Sequence, residues 1–165
     1  METRFRDTNV DVVKTDLLVL PVEEKKLDLP AIRALDRRLK GKLSEQIQKS
    51  KFTGTEGSSL SYSTAGILPA SHLLLVGFGK ASDVDFDTWR KAGARARKEA
   101  SAVGAQEIAV FFLPDKDPDG PAGAVVEGVM LASYRFNKYR SNSAAATQLK
   151  SLTLLKPGLK RTPSL

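Results

Sequence analysis

The chain has 165 residues, 41% hydrophobic and 27% charged, the balance of one folded domain and not of a collagenous or wholly disordered chain. It holds no cysteine and one histidine, so disulfides, thiolate metal sites, iron–sulfur clusters, a cysteine nucleophile and a zinc site of several imidazoles are excluded by inventory. A net charge of +7 suits a polyanionic partner without requiring one.

The opening Met1-Glu-Thr-Arg-Phe-Arg-Asp7 has no apolar leader core, and nowhere do 18 apolar residues run together. A cytoplasmic protein with no membrane partner is expected. Residues Thr3 to Thr8 alternate weakly, predicting a flanking strand exposed on one side. Leu17-Leu-Val-Leu-Pro-Val22 is short and branched, as a strand buried on both faces is. Next, Ile32, Leu35, Leu39, Leu43 and Ile47 recur at spacings of 3, 4, 4 and 4, the period of a helix. Asp28 is the expected cap, Pro30 falls in the first turn, and Gly41 divides the stretch into two helices. A second flanking strand over Ser58 to Ser63 precedes a second buried strand, Leu73-Leu-Leu-Val76.

The clearest helix begins at Asp85 as N-cap, carries Phe86, Trp89, Gly93, Ala96, Ala100 and Val103 at spacings of 3, 4, 3, 4 and 3, and stops at Gly104. Ile108-Ala-Val-Phe-Phe-Leu113 is a third buried strand. A helix from about Pro121 to Tyr134 follows, with Val125, Val126, Val129 and Leu131, and Ser151-Leu-Thr-Leu-Leu155 is the last strand. This alternation predicts a three-layer α/β/α domain: a mixed, mostly parallel sheet of about six strands with helices on both faces. The loop Pro114 to Gly120 and the stretch Ser141 to Ala146 are of low complexity, and no internal repeat is found. Residues 1–155 form the domain, and the Pro- and Gly-bearing tail 156–165 reads as a linker.

Chemistry is sparse along this chain. Gly77-Phe-Gly79-Lys80 follows a strand as a phosphate loop does, but Ser82 replaces the last glycine of a dinucleotide fingerprint, and Leu74 and Ala81 break the triphosphate pattern. A strand-ending turn is expected instead. Asp83, Asp85 and Asp87 alternate like calcium ligands, yet Thr88 and Ala94 stand where glycine and glutamate are needed, so they are read as acids serving the start of a helix. Asp115, Asp117 and Asp119 read as a solvated loop, and His72 has no acid–base partner nearby in sequence. Ser58, Ser59 and Ser61 lack a nucleophile elbow.

Basic residues interleave with aromatics in Tyr134-Arg-Phe-Asn-Lys-Tyr-Arg140. This composition serves either a packed helix end with its aromatics inward or a nucleic-acid contact. The helix from Asp85 adds a stripe of Lys91, Arg95 and Lys98, ordinarily a solvated face. Lys91, Arg95, Lys98, Arg135, Lys138 and Arg140 are therefore the candidate contacts to DNA. No catalytic, cofactor-binding or metal-ligating residue is predicted.

Six collinear segments carry a family resemblance: Thr15-Asp-Leu-Leu-Val-Leu-Pro-Val22, Leu35-Asp-Arg-Arg-Leu-Lys-Gly41, Phe52-Thr-Gly-Thr-Glu-Gly57, His72-Leu-Leu-Leu-Val-Gly-Phe-Gly-Lys80, Trp89-Arg-Lys-Ala-Gly93 and Glu127-Gly-Val-Met-Leu-Ala-Ser-Tyr-Arg-Phe-Asn-Lys-Tyr139. Together they resemble the N-terminal domain of the leucyl aminopeptidases, the M17 metallopeptidases. The resemblance implies a macro-domain-like fold lying outside the chemistry. In that family two divalent metals, zinc or manganese, and their ligands belong to a C-terminal domain with motifs V-G-K-G-[IL]-T-F-D-[ST]-G-G and N-T-D-A-E-G-R, neither of which occurs here. The expectation is a non-catalytic accessory and assembly domain whose partners are a peptidase domain and copies of itself. A nucleic-acid-binding module is the alternative reading, and an ADP-ribose-binding macro-like domain a further one. Against the last, Pro21-Val-Glu-Glu24 stands where an asparagine-rich loop is expected, and no G-G-G-[VI] segment is present.

Overall fold

A computed structural model describes residues 1–112, 119–139 and 147–156. Its strands are β1 (Glu2–Arg6), β2 (Thr15–Glu23), β3 (Ser59–Ser63), β4 (Ala70–Gly79), β5 (Glu107–Phe111) and β6 (Ser151–Leu155). The α-helices are α1 (Pro30–Arg38), α2 (Lys42–Ser50), α3 (Phe86–Val103) and α4 (Asp119–Tyr139). The strands form one sheet in the order β1-β6-β5-β2-β4-β3, parallel at every pairing except β3 with β4. The predicted mixed, mostly parallel sheet and the order of elements are those observed.

Alternation along the strands divides the core into two. Leu18, Leu20 and Val22 of β2 and Leu73 and Leu75 of β4 face one side, where Ile32, Leu35, Leu39, Leu43 and Ile47 close over them. Leu17 and Val19, with Leu74, Val76 and Phe78, face the other, against Trp89, Ala92, Ala96, Val125 and Val129. The indole of Trp89 meets Phe78 edge-on with centroids 4.7 Å apart, and stacks on Phe112 at 4.8 Å. Pro21, which has no N–H, stands past the last β2–β5 pair, Val19 with Val110, where β2 has lost one neighbour.

Gly41 does separate α1 from α2, but Asp28 is not the cap. Leu29 occupies that position without a side-chain hydrogen bond, and Asp28 reaches Arg33 at 3.4 Å. The first turn of α2 is capped from α1: the Ser44 N–H donates to Asp36 Oδ1 at 3.0 Å. α2 ends on Lys51 at φ 56°, with Lys51 N–H bonded to Gln48 O and Phe52 N–H to Ile47 O, a left-handed Schellman ending that usually carries glycine.

Asp85 caps α3 as expected, and Gly104 ends it at φ 73°. Phe86, assigned to its apolar stripe, is instead 60% exposed, because the residue after a cap lies before the first turn reaches the sheet. α4 outruns its predicted end by five residues, and Tyr134, expected to pack inward, is 66% exposed. All five β1 residues are exposed, not one side only, and among the described residues β1 ends the sheet with β6 as its one strand neighbour. α3 and α4 touch at glycines: a Cβ on Gly93 would lie 2.2 Å from Val125 O, and one on Gly128 2.0 Å from Arg90 O.

Candidate functional site

The expected strand-ending turn over Gly77 to Lys80 begins later than predicted: Gly77 and Gly79 both belong to β4, and only Gly79, its last residue at φ 73°, leaves extended geometry. Gly77 N–H donates to Ser58 O at 2.8 Å and Gly79 N–H to Gly54 O at 2.9 Å, so these amides are spent on the 53–58 turn. A Cβ on Gly77 would sit 2.1 Å from Thr55 O, which explains the glycine by close backbone approach. Pinned this way, the turn faces the first half of α3 across a cavity of about 460 Å³.

The floor of that cavity is made by Val76, Gly77 and Ala92, whose short side chains leave the space, and its charged rim is Lys91, Arg95 and Lys98 with Glu56 opposing them. Arg95 spans from α3 to the turn, donating through Nη1 to Ser59 Oγ at 3.1 Å and through Nη2 to Gly57 O at 3.2 Å. Both acceptors are neutral, so its charge is not cancelled. Lys91 Nζ lies 3.0 Å from Asp87 Oδ2 and 3.7 Å from Glu56 Oε1. Hydrogen bonding to Asp87 raises the Lys91 ammonium above its ordinary range, and the same contact lowers the Asp87 carboxyl. Lys98 is exposed and has no partner among the described residues. Such a rim can hold a carboxylate or a phosphate.

At the start of α3 the Thr88 N–H donates to Asp85 Oδ1 at 2.9 Å while the Asp85 N–H donates to Thr88 Oγ1 at 3.2 Å. The Thr88 N–H, together with the Thr88 hydroxyl donating to Asp85 Oδ1 at 3.0 Å, holds the Asp85 carboxyl below the usual carboxylate range. Asp85 and Asp87 thus serve the start of α3, whereas Asp83 lies ahead of it in the 3₁₀ turn Ala81–Asp83. Of the other acidic cluster, Asp119 opens α4, and Asp115 and Asp117 lie outside the described residues.

The structure brings Lys91, Arg95 and Lys98 together on the flank of α3 beside β3. Arg135 and Lys138 are exposed on α4, which packs against α3 through Gly93 and Gly128, and Arg140 lies outside the described residues. The five described candidate contacts are thus divided between α3 and α4.

Sequence reasoning missed Arg97, which is 3% exposed and lines a second cavity of about 570 Å³ with Met1, Val129, Met130, Ser133 and Leu149. Its Nε donates to Ser133 Oγ at 2.9 Å and its Nη2 to Thr147 O at 3.1 Å, joining α3 to α4 and to the approach of β6. A buried guanidinium needs such partners, and nothing in the surrounding sequence announces them. His72, with Asp16 and Ser71, lines a shallow hollow of about 350 Å³ at the other end of β4. Asp16 is committed there, its Oδ2 accepting from the N–H groups of Gln106 and Glu107 at 2.8 and 3.0 Å. Among the described residues no three of His, Cys, Asp and Glu are grouped to hold a metal ion.

The family model described as the cytosol aminopeptidase family, N-terminal domain, matches residues 19–143. A probable cytosol aminopeptidase of Syntrophotalea carbinolica is 34% identical over 130 residues, 77% of this chain and 26% of that protein. One from Microcystis aeruginosa is 30% identical over 157 residues, 94% of this chain and 32% of its own length. Among solved structures, a mutant of tomato leucine aminopeptidase superposes with a TM-score of 0.83 at 27% identity, covering 98% of this chain and 34% of that one. The macrodomain of Thermus aquaticus DarG superposes with a TM-score of 0.61 at 10% identity over 94% of this chain and 98% of its own, a likeness of fold alone. The chain thus spans about a quarter to a third of the curated relatives it matches.

Proposed function

Because the chain belongs to the cytosol aminopeptidase family as its N-terminal domain, we propose that it is a non-catalytic accessory and assembly domain of a metal-dependent aminopeptidase. The observation that carries this reading is coverage: the match is to the N-terminal domain, and most of each relative's length lies outside it. The donor set supports the same conclusion. Two-metal hydrolysis needs a cage of carboxylates and other ligands that clamps both ions and activates water. The chain has no cysteine and one histidine, and among the described residues no three of His, Cys, Asp and Glu are grouped into such a cage.

In the longer relatives, release of N-terminal amino acids from peptides would belong to the remaining part of the chain, with this domain beside it and contributing to the oligomer. The test is an assay of the 165-residue chain with leucine p-nitroanilide and added zinc or manganese. No metal-dependent release of nitroaniline is expected. Turnover that rises with metal and co-elutes with the chain on gel filtration would overturn the proposal.

A further inference from the structure

Strand β3 lies at one end of the sheet, and among the described residues nothing pairs with its outer side. The hydrogen bonds fix which of its groups are free. Gly77 N–H bonds Ser58 O, and Thr64 N–H bonds Ser71 O, both in the register that pairs Leu60 with Leu75. In an antiparallel ladder the residues that exchange bonds with the neighbour alternate with residues whose N–H and C=O point away. Ser58, Leu60, Tyr62 and Thr64 therefore face β4, and Ser59, Ser61 and Ser63 turn three N–H and three C=O groups outward. All three serines are exposed. Their side chains lie on the α3 side, where Ser59 Oγ accepts from Arg95 and Ser61 Oγ donates to Glu99 Oε1.

Two independent features thus meet at one place: an unpaired strand edge, and a cavity rimmed by Lys91, which Asp87 and Glu56 neutralise, and by Arg95 and Lys98, for which no ion pair is found among the described residues, with Glu99 held by Ser61. We propose that the β3 edge and this cavity form a docking surface for an extended peptide segment bearing acidic side chains, which adds to the sheet as a seventh strand. Main-chain bonds to Ser59, Ser61 and Ser63 supply affinity, and a carboxylate directed toward Arg95 and Lys98 supplies selectivity. A second copy of this chain is a poorer occupant. Two β3 edges meeting antiparallel in one continuous sheet would put both α3 helices on the same face and bring Arg95 and Lys98 of each copy toward their equivalents, a like-charge contact.

The test uses the 165-residue chain and a fluorescein-labelled peptide of alternating glutamate and valine, with the lysine–valine counterpart as control, read by fluorescence anisotropy. The acidic peptide is expected to bind and the basic one not to bind. Lys98→Glu is expected to weaken binding at least tenfold. Ser61→Pro, which removes an N–H that β4 does not use, is expected to do the same. Amide exchange on the unaltered chain keeps the outcome readable if the proline variant fails to fold: peptide should slow Ser59, Ser61 and Ser63 and leave Leu60 and Tyr62 unchanged. Absence of binding overturns the proposal. So does binding that survives Ser61→Pro or is displaced by oligo-dT without protection of those three amides, which would mean a polyanion held by charge alone. Dimerisation of the free chain that Ser61→Pro abolishes would assign the edge to a second copy instead.

Discussion

Asp85 shows how much one side chain can do at the head of a helix. It accepts the Thr88 N–H, returns its own N–H to the Thr88 hydroxyl, and places a negative charge at the positive end of α3. Its carboxyl is lowered by the Thr88 N–H and hydroxyl that donate to it, so the folded state binds a proton less readily than the unfolded chain. The sign follows: the contribution is present above the unfolded carboxyl value of about 3.9 and fades as pH falls through the lower folded value. Asp85→Asn keeps a capping oxygen but cannot titrate. Thermal melts should find the wild type more stable than the variant at pH 6, with the gap closing by pH 3; a gap constant over that range would contradict the assignment. Asp85 was legible because its partner stands three residues away. The cap of α2 was not, since Asp36 reaches Ser44 from another helix, and Lys51 sits at a left-handed position where the sequence shows no glycine. The cations of the candidate site were legible as a stripe on α3. The acceptors of Arg95 were not, because Gly57 and Ser59 come from a turn and the strand after it, which only the folded sheet carries to α3.

Helices reveal their inner face by period, yet period says little about how close two helices come. The spacing from Trp89 to Ala100 located the buried side of α3. It did not show that Gly93 and Gly128 are small because backbone carbonyls of the opposing helix occupy the place of a methyl group. Two glycines on α4 separate these effects. Gly128→Ala must push α3 and α4 apart and should cost about 1–3 kcal/mol in urea unfolding. Gly123→Ala, with open space around the added carbon, should gain about 0.5–1 kcal/mol, the ordinary helical preference for alanine. Equal effects at both positions would show that propensity, and not helix contact, sets the outcome.

At the scale of the molecule, alternation of strands and helices was enough to specify three layers, because short branched runs must be covered on both faces. The strand order was not legible: nothing in Thr3 to Thr8 says that β1 will lie beside β6, and pairing preferences there are too weak to choose a neighbour. The resulting sheet is uneven. β2 is buried and paired on both sides over Leu17 to Val19, whereas β1 is exposed throughout and paired on one side only. Hydrogen exchange should therefore release β1 amides by local opening, long before those of Leu18 and Val19, which await global unfolding. Matching rates for the two strands would mean that β1 is covered in solution.

The β1–β6 pairing also orders events during synthesis. Arg4 reaches Thr153 across a separation of 149 residues, so β1 has no partner among the described strands until β6 has been made. β2, β4 and the hairpin partner β3 can associate before then, and the first of the six strands is among the last to be seated. A nascent chain stalled before residue 151 would hold β1 unpaired, open to proteases that the finished domain turns away.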